Sequence, residues 1–152
     1  MTTLKERLRE DLTAAIKARD ELRSSTIRLT LTAVNRAEVA GKEKRELSDA
    51  EVVQVVQGEA KKRRDAATAF ADAGRPEAAE RERAEGALLA EYLPQQLSDE
   101  QLAAVVAEAV AESGASGPQA MGAVMKIVRP KVAGLAEGGR VVEAVKAALA
   151  NR

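Results

Sequence analysis

The chain has no cysteine, no histidine and no tryptophan, and its only aromatic residues are Phe70 and Tyr92. Without cysteine no disulfide framework can staple it, which fits a reducing compartment. Zinc sites of the Cys/His type and triads built on His or Cys are excluded on the same ground. The shortage of aromatics removes stacking platforms for nucleic-acid bases. It also means that any core is built from Ala, Val and Leu, which suits thin, closely packed helices. A surplus of one charge is missing as well, because 24 acidic residues balance 24 basic ones and no global field steers a partner. No segment approaches 18 uninterrupted apolar residues, so no transmembrane helix is expected. The opening seven residues carry charges within every turn and do not read as a secretory signal. The expectation is a soluble cytoplasmic protein with no membrane contact, no metal and no cofactor.

What the chain does have is helical periodicity almost everywhere. In 152 residues, 45% of them hydrophobic, there is room for one ordinary domain or two small ones. Leu4, Leu8, Leu12, Ala15 and Ile16 form one apolar stripe, behind a capping box of Thr3 and Glu6. Ile27, Leu31 and Val34 form a second, with Gly41 as its stop. Ser48 and Glu51 open a long helix whose buried side carries Val52, Val53, Val56, Ala60, Ala67 and Phe70. Gly74 ends it. Pro76 sits at a first-turn position, and Ala79, Leu88, Leu89 and Tyr92 mark the next helix. At Tyr92-Leu93-Pro94 the pattern breaks, because Pro94 cannot continue a helix and pushes Leu93 out of the helical region. Ser98 and Gln101 then make another capping box. Leu102, Val105, Val106, Ala109 and Val110 form a helix closed by Gly114. Met121, Val124, Met125 and Val128 form the next, limited by Pro130. A loop through residues 133–139 leads to a last helix with Val141, Val142, Val145, Ala148 and Leu149.

The expected fold is therefore all-α. An N-terminal helical domain of about four helices covers residues 1–93, and a compact three-helix domain covers residues 94–152. Tyr92, Leu93 and Pro94 are the expected junction, with Tyr92 a packing anchor on the preceding helix and Pro94 setting how the halves are presented.

Few residue sets suggest chemistry. Lys61-Lys62-Arg63-Arg64 is the densest basic run; spacing pairs Glu59 with Arg63 and Lys61 with Asp65, which makes it a solvated helix face rather than a phosphate contact. Glu82 and Glu85 are three apart, but di-metal bundles need a Glu-x-x-His pattern, so surface pairing with Arg75, Arg81 and Arg83 is the plainer reading. The serines have no histidine as base and mostly occupy cap or turn positions. No catalytic residue can be named. From Pro118 onward, six basic residues (Lys126, Arg129, Lys131, Arg140, Lys146, Arg152) outnumber Glu137 and Glu143 by four. With the glycines of the adjacent loop, Gly134 and Gly138 among them, they are candidate contacts to an RNA backbone. The glycines equally suit a tight turn, and the residues alone leave both readings open.

Several segments in fixed order resemble one family along nearly the whole chain. They are Leu8 to Leu12, Ala15 to Asp20, Arg28, Glu59 to Arg63, Glu91 to Ser98, Met121 to Met125, and Pro130 to Val132. The family is GatB/YqeY. The resemblance implies an N-terminal helical domain and a C-terminal domain similar to the tail of the B subunit of tRNA-dependent amidotransferase, which helps hold tRNA. It does not extend to that enzyme's chemistry. The amidase Ser/Ser/Lys site belongs to another subunit, and the kinase domain is absent here. Any carbon–nitrogen ligase role, with glutamine as amido-N donor, would be as an accessory. The partners implied are tRNA or a tRNA-amidation complex, or alternatively a protein or second copy docked on the charged N-terminal helices. Where relatives commonly carry three basic residues in the loop after Pro130, this chain has Ala133, Leu135 and Gly139, leaving Arg140 as partial compensation.

Overall fold

The structure, a computed structural model, describes residues 2–151; Arg152 lies outside them. Among the described residues there are seven α-helices and no strand. They form two compact units, one ending at Leu93 and the other beginning at Pro94.

The first unit begins with α1 (Leu4–Lys17). Thr3 starts it, its hydroxyl accepting the Glu6 N–H at 3.1 Å, which is one half of the expected box. Leu8 and Ala15 are buried, but Ile16 is 48% exposed. At 100° per residue Ile16 lies beyond the edge of the Leu4–Leu8–Ala15 stripe, so it leaves the core. α1 stops without proline or glycine. Arg19 takes a left-handed φ of +59°, and Asp20 caps α2 (Glu21–Glu38) by accepting the Arg23 N–H at 3.0 Å. The buried hydroxyls of α2 are satisfied locally: those of Thr26 and Thr30 donate to the carbonyls of Leu22 at 2.7 Å and Thr26 at 2.9 Å.

α2 ends at Glu38, three residues before the expected glycine, and this buried glutamate organises the connection to the next helix. Its carboxylate accepts from Lys5 Nζ at 2.7 Å and from the Leu47 N–H at 3.1 Å, and its carbonyl accepts from the Arg45 N–H at 3.0 Å. The Lys5 hydrogen bond, then that of Leu47, holds its carboxyl below the usual range. The connection is thereby folded back, with Leu47 in the core.

α3 (Asp49–Asp72) and α4 (Pro76–Ala90) form a helical hairpin. Ser48 and Glu51 complete the capping box at the start of α3, and Gly74, at φ +75°, turns the chain before Pro76. Tyr92 falls just past α4 rather than on it, yet it is 4% exposed and belongs to the core formed with Leu8, Ile27, Val34, Val52, Val56 and Leu89.

The second unit opens with a strap. The Leu97 N–H donates to the Leu135 carbonyl at 2.8 Å, and Gln96 Nε2 donates to the Gly134 carbonyl at 2.9 Å. The Ser98–Gln101 capping box then starts α5 (Asp99–Ser113), and Gly114, left-handed at φ +59°, ends it. A 3₁₀ turn at Gly117–Gln119 leads to α6 (Ala120–Val132). α6 does not stop at Pro130 but runs two residues further. Pro130 sits in the last turn, and both it and Lys126, four residues before it, are exposed, so the helix bond that the proline ring cannot donate is one on the solvent side. The turn after α6 bends at Gly134, φ +79°. Gly138 and Gly139 lie not in this loop, as expected, but in the first turn of α7 (Gly138–Ala150). The core is almost entirely aliphatic: Leu102, Val106 and Ala109 of α5, Val124 and Val128 of α6, Val141 and Val145 of α7.

The cap at α3 yields a pH signature. Arg45, then the Ser48 N–H, hold the Glu51 carboxyl at about 2 against an ordinary 4.5. Because the folded value is the lower one, the contribution is complete above about pH 4.5 and is lost as pH falls towards 2. Glu51→Gln should therefore lower the melting temperature at pH 7, and thermal melts should show wild type and variant converging between pH 4.5 and 2.

Candidate nucleic-acid interface

The basic residues of the second unit do not form one patch. They divide between two flanks. α5 carries Asp99, Glu100, Glu108 and Glu112 with no basic residue, whereas α6 carries Lys126, Arg129 and Lys131 with no acid. Over the whole unit, six basic residues meet six acidic ones, so the surplus after Pro118 is offset by α5. Lys131 Nζ lies 3.3 Å from Glu112, and the Arg140 guanidinium donates to Asp99 at 2.9 Å and to the Leu97 carbonyl at 2.8 Å. Arg140 is thus a structural tie between the strap and α7. Gly134 shapes the turn and its carbonyl is taken by Gln96, while Gly138 stands exposed.

Lys126 and Arg129 point elsewhere. Lys131 lies about 140° round α6 from Lys126, on the side facing α5. Lys126 and Arg129 line a shallow groove between α6 and α7, floored by Met121, Gly122, Met125 and Val142. Lys146 is exposed one turn beyond Val142 and so lies on the same side of α7. Among the described residues none of these three cations has an ion-pair partner. Of the seven positions predicted from sequence, the structure gathers these three and diverts Lys131 and Arg140 to α5. The groove floor was missed. Its only signal in the sequence was the i, i+4 pair Met121 and Met125, read as core; Met125 is buried, but Met121 is only partly so.

The first unit has two charged clusters. Tyr92 donates to Asp11 at 2.5 Å, Arg7 stacks over its ring at 4.5 Å, and Arg23 pairs with Glu91 at 3.1 Å. Burial, then the Asp11 hydrogen bond, holds the Tyr92 hydroxyl protonated well above its usual range. Three of the segments that carry the resemblance, through Asp11, Asp20 and Glu91-Tyr92, meet at this cleft. Its groups are mutually paired, and it clasps α1, α2 and the end of α4 together.

The second cluster corrects the reading of the basic run. Lys61 does pair with Asp65, at 2.8 Å, but Glu59 is taken by Lys62 at 2.9 Å. Arg63 instead crosses to α4, reaching Glu85 at 3.4 Å and Glu82 at 3.5 Å. It turns into the hairpin interface because the acids of α4 face it there; of the pairing expected for Glu82 and Glu85, Arg81 does reach Glu85 at 3.3 Å, but both acids also join a part-buried cluster with Arg63. Glu82 Oε2 is buried without a hydrogen bond. Among the described residues no group of acids could hold a metal.

Tyr92→Ala should destabilise the first unit by about 3 kcal/mol, through a lost core ring, whereas Tyr92→Phe costs only the Asp11 bond; denaturant titration separates them. Burial, opposed by Arg63, raises the Glu82 carboxyl, so its ionised form weakens the fold near neutrality and stability is regained as pH falls through the raised value. Glu82→Gln should therefore melt at or above wild type at pH 7, whereas Glu85→Ala, which takes the nearer carboxylate from Arg63 and the partner from Arg81, should melt lower.

No curated protein matches the chain. The family model described as Yqey-like protein matches residues 5–149, nearly the entire sequence. The chain belongs to the YqeY-like protein family.

Proposed function

We propose that this protein is a non-catalytic RNA-binding or adaptor protein whose C-terminal unit contacts the phosphate backbone of tRNA along the α6–α7 groove. The observation that carries this reading is the set of three unpaired cations on one flank, Lys126, Arg129 and Lys146, in a chain where most other charges near a helix interface are paired. The similarity of this unit to a tRNA-holding tail supplies the substrate class. Without aromatic residues here, contact is to backbone and shape rather than to stacked bases. Arg140 and Lys131 contribute structure rather than phosphate contacts, so the footprint is small and the affinity modest. Any amidotransferase role is as an accessory, because no nucleophile–base pair can be named.

A second reading, docking of a protein partner on the N-terminal helices, draws on Ile16, Leu29 and Val39, large apolar residues each about half exposed. Pull-down with and without nuclease separates the two.

For the RNA reading, labelled tRNA titrated at several salt concentrations should give log K falling linearly with log salt, with a slope of roughly two to three. Lys126→Ala with Arg129→Ala should weaken binding and shallow the slope by about one unit per residue. Absence of binding at low salt, or equal binding to heparin, contradicts the proposal.

A further inference from the structure

α2 presents a solvent face that the fold does not use. From Leu22 to Ala37 it contains no acidic residue, although the chain as a whole is balanced. At 100° per residue, Ser25, Arg28, Thr32, Asn35 and Arg36 share one side, opposite the buried Ile27, Thr30 and Val34. Arg28, Thr32, Asn35 and Arg36 are exposed and Ser25 is half-buried.

Arg28 and Arg36 have no ion-pair partner among the described residues, as is also true of Arg9, Lys17, Arg19, Lys42 and Lys44 in this unit; what sets the two arginines apart is a shared helix face in a stretch without acids. Elsewhere in the unit pairs do form. Lys5 pairs with Glu38, Arg23 with Glu91, Arg45 with Glu51, Lys61 with Asp65, and Arg63 with Glu85. Arg23, on the same helix, shows that α2 can bring an arginine to a carboxylate when one is placed for it.

We infer that this face of α2 is a second phosphodiester-backbone contact surface, carried by the N-terminal unit and distinct from the α6–α7 groove. Apart from Leu29 at its edge beside Arg36, this face is polar between the two arginines, with the Asn35 amide a donor to phosphate oxygens and the Thr32 hydroxyl beside it, and Ser25 adds a hydroxyl one turn before Arg28. The hydroxyls of Thr32 and Ser25 donate to the carbonyls of Arg28 at 2.9 Å and Leu22 at 3.2 Å, so each has to turn its proton away from the helix to donate to a phosphate oxygen. Arg28 and Arg36 are eight residues apart, about 12 Å along the axis. That separation suits two phosphates of one strand that are not adjacent, each met by a guanidinium fork. An anionic membrane is the poorer fit. A helix lying in a bilayer interface needs a broad apolar face beside its basic one, and here Leu29 stands alone.

The inference takes its ligand class from the RNA reading above but not its residues, so the two can fail separately. The test is binding of labelled tRNA to the full chain at about 50 mM salt, comparing Arg28→Ala/Arg36→Ala with Lys42→Ala/Lys44→Ala. The second pair removes the same charge from the exposed connection after α2. The α2 pair should weaken binding about ten-fold and shallow the salt slope by about two units, while the lysine pair has a much smaller effect. Both variants should melt with wild type, since Arg28 and Arg36 hold nothing in the fold. Equal losses from the two pairs would mean that only general charge is sensed, and would overturn the inference. So would an α2 pair that binds tRNA like wild type but loses binding to vesicles containing phosphatidylserine. If the α2 pair matters and the Lys126/Arg129 pair does not, the groove reading fails and this one stands. No tRNA binding by wild type removes both.

Discussion

A core with almost no aromatic side chains constrains everything else in this molecule. Val, Leu and Ala fill little space, so helices must approach closely, and residues at their interfaces have little room to avoid one another. At Gly86 the two helices of the α3–α4 hairpin come within van der Waals reach: a Cβ placed there would touch Arg63 Cβ at 3.7 Å, an ordinary contact. Polar groups caught in such interfaces have to be satisfied from within. Thr26 and Thr30 turn back to their own helix, Glu38 takes Lys5 and the Leu47 amide, and Arg63 is held against Glu85.

Pairing near the interfaces in turn decides which charges are left over. The chain has no net charge to steer a partner, so any recognition of a polyanion has to come from local departures from balance. Among the basic residues, those beside helix interfaces are drawn into pairs, as with Lys131 and Arg140 against α5. Those that remain in sectors without acids keep their hydrogen-bonding capacity. The groove flank of α6 and the outer face of α2 are two such sectors, one in each unit, and they differ in kind. The first has an apolar floor of Met121, Met125 and Val142; the second is polar throughout except for Leu29.

The helices were legible because they depend on near neighbours. The capping boxes at Ser48 and Ser98, the left-handed glycines at Gly74 and Gly114, and Pro76 at a helix start are all written within four residues of the feature they create. The break at Asp20 was harder, because its cap lies in a run of good helix formers. What could not be read was partner choice. Glu59 and Arg63 have ideal spacing for a pair, yet Arg63 turns to α4, since the approach of the second hairpin helix puts two carboxylates on its buried side. The predicted basic patch failed to close for the same reason. It was counted along the chain from Pro118, and the acids that divide it belong to α5, earlier in sequence and adjacent only in the fold.

The central claim is that unpaired cations gathered on helix faces without acids, rather than the total of basic residues or every unpaired one, mark the surfaces that meet RNA. Backbone amide shifts recorded by NMR during titration with tRNA test it most directly. The account predicts changes along the groove side of α6 and α7 and along the outer face of α2, with α5 and the Tyr92 cleft unmoved. Shifts centred on the Tyr92 cleft, or spread evenly over every exposed lysine and arginine, would contradict it.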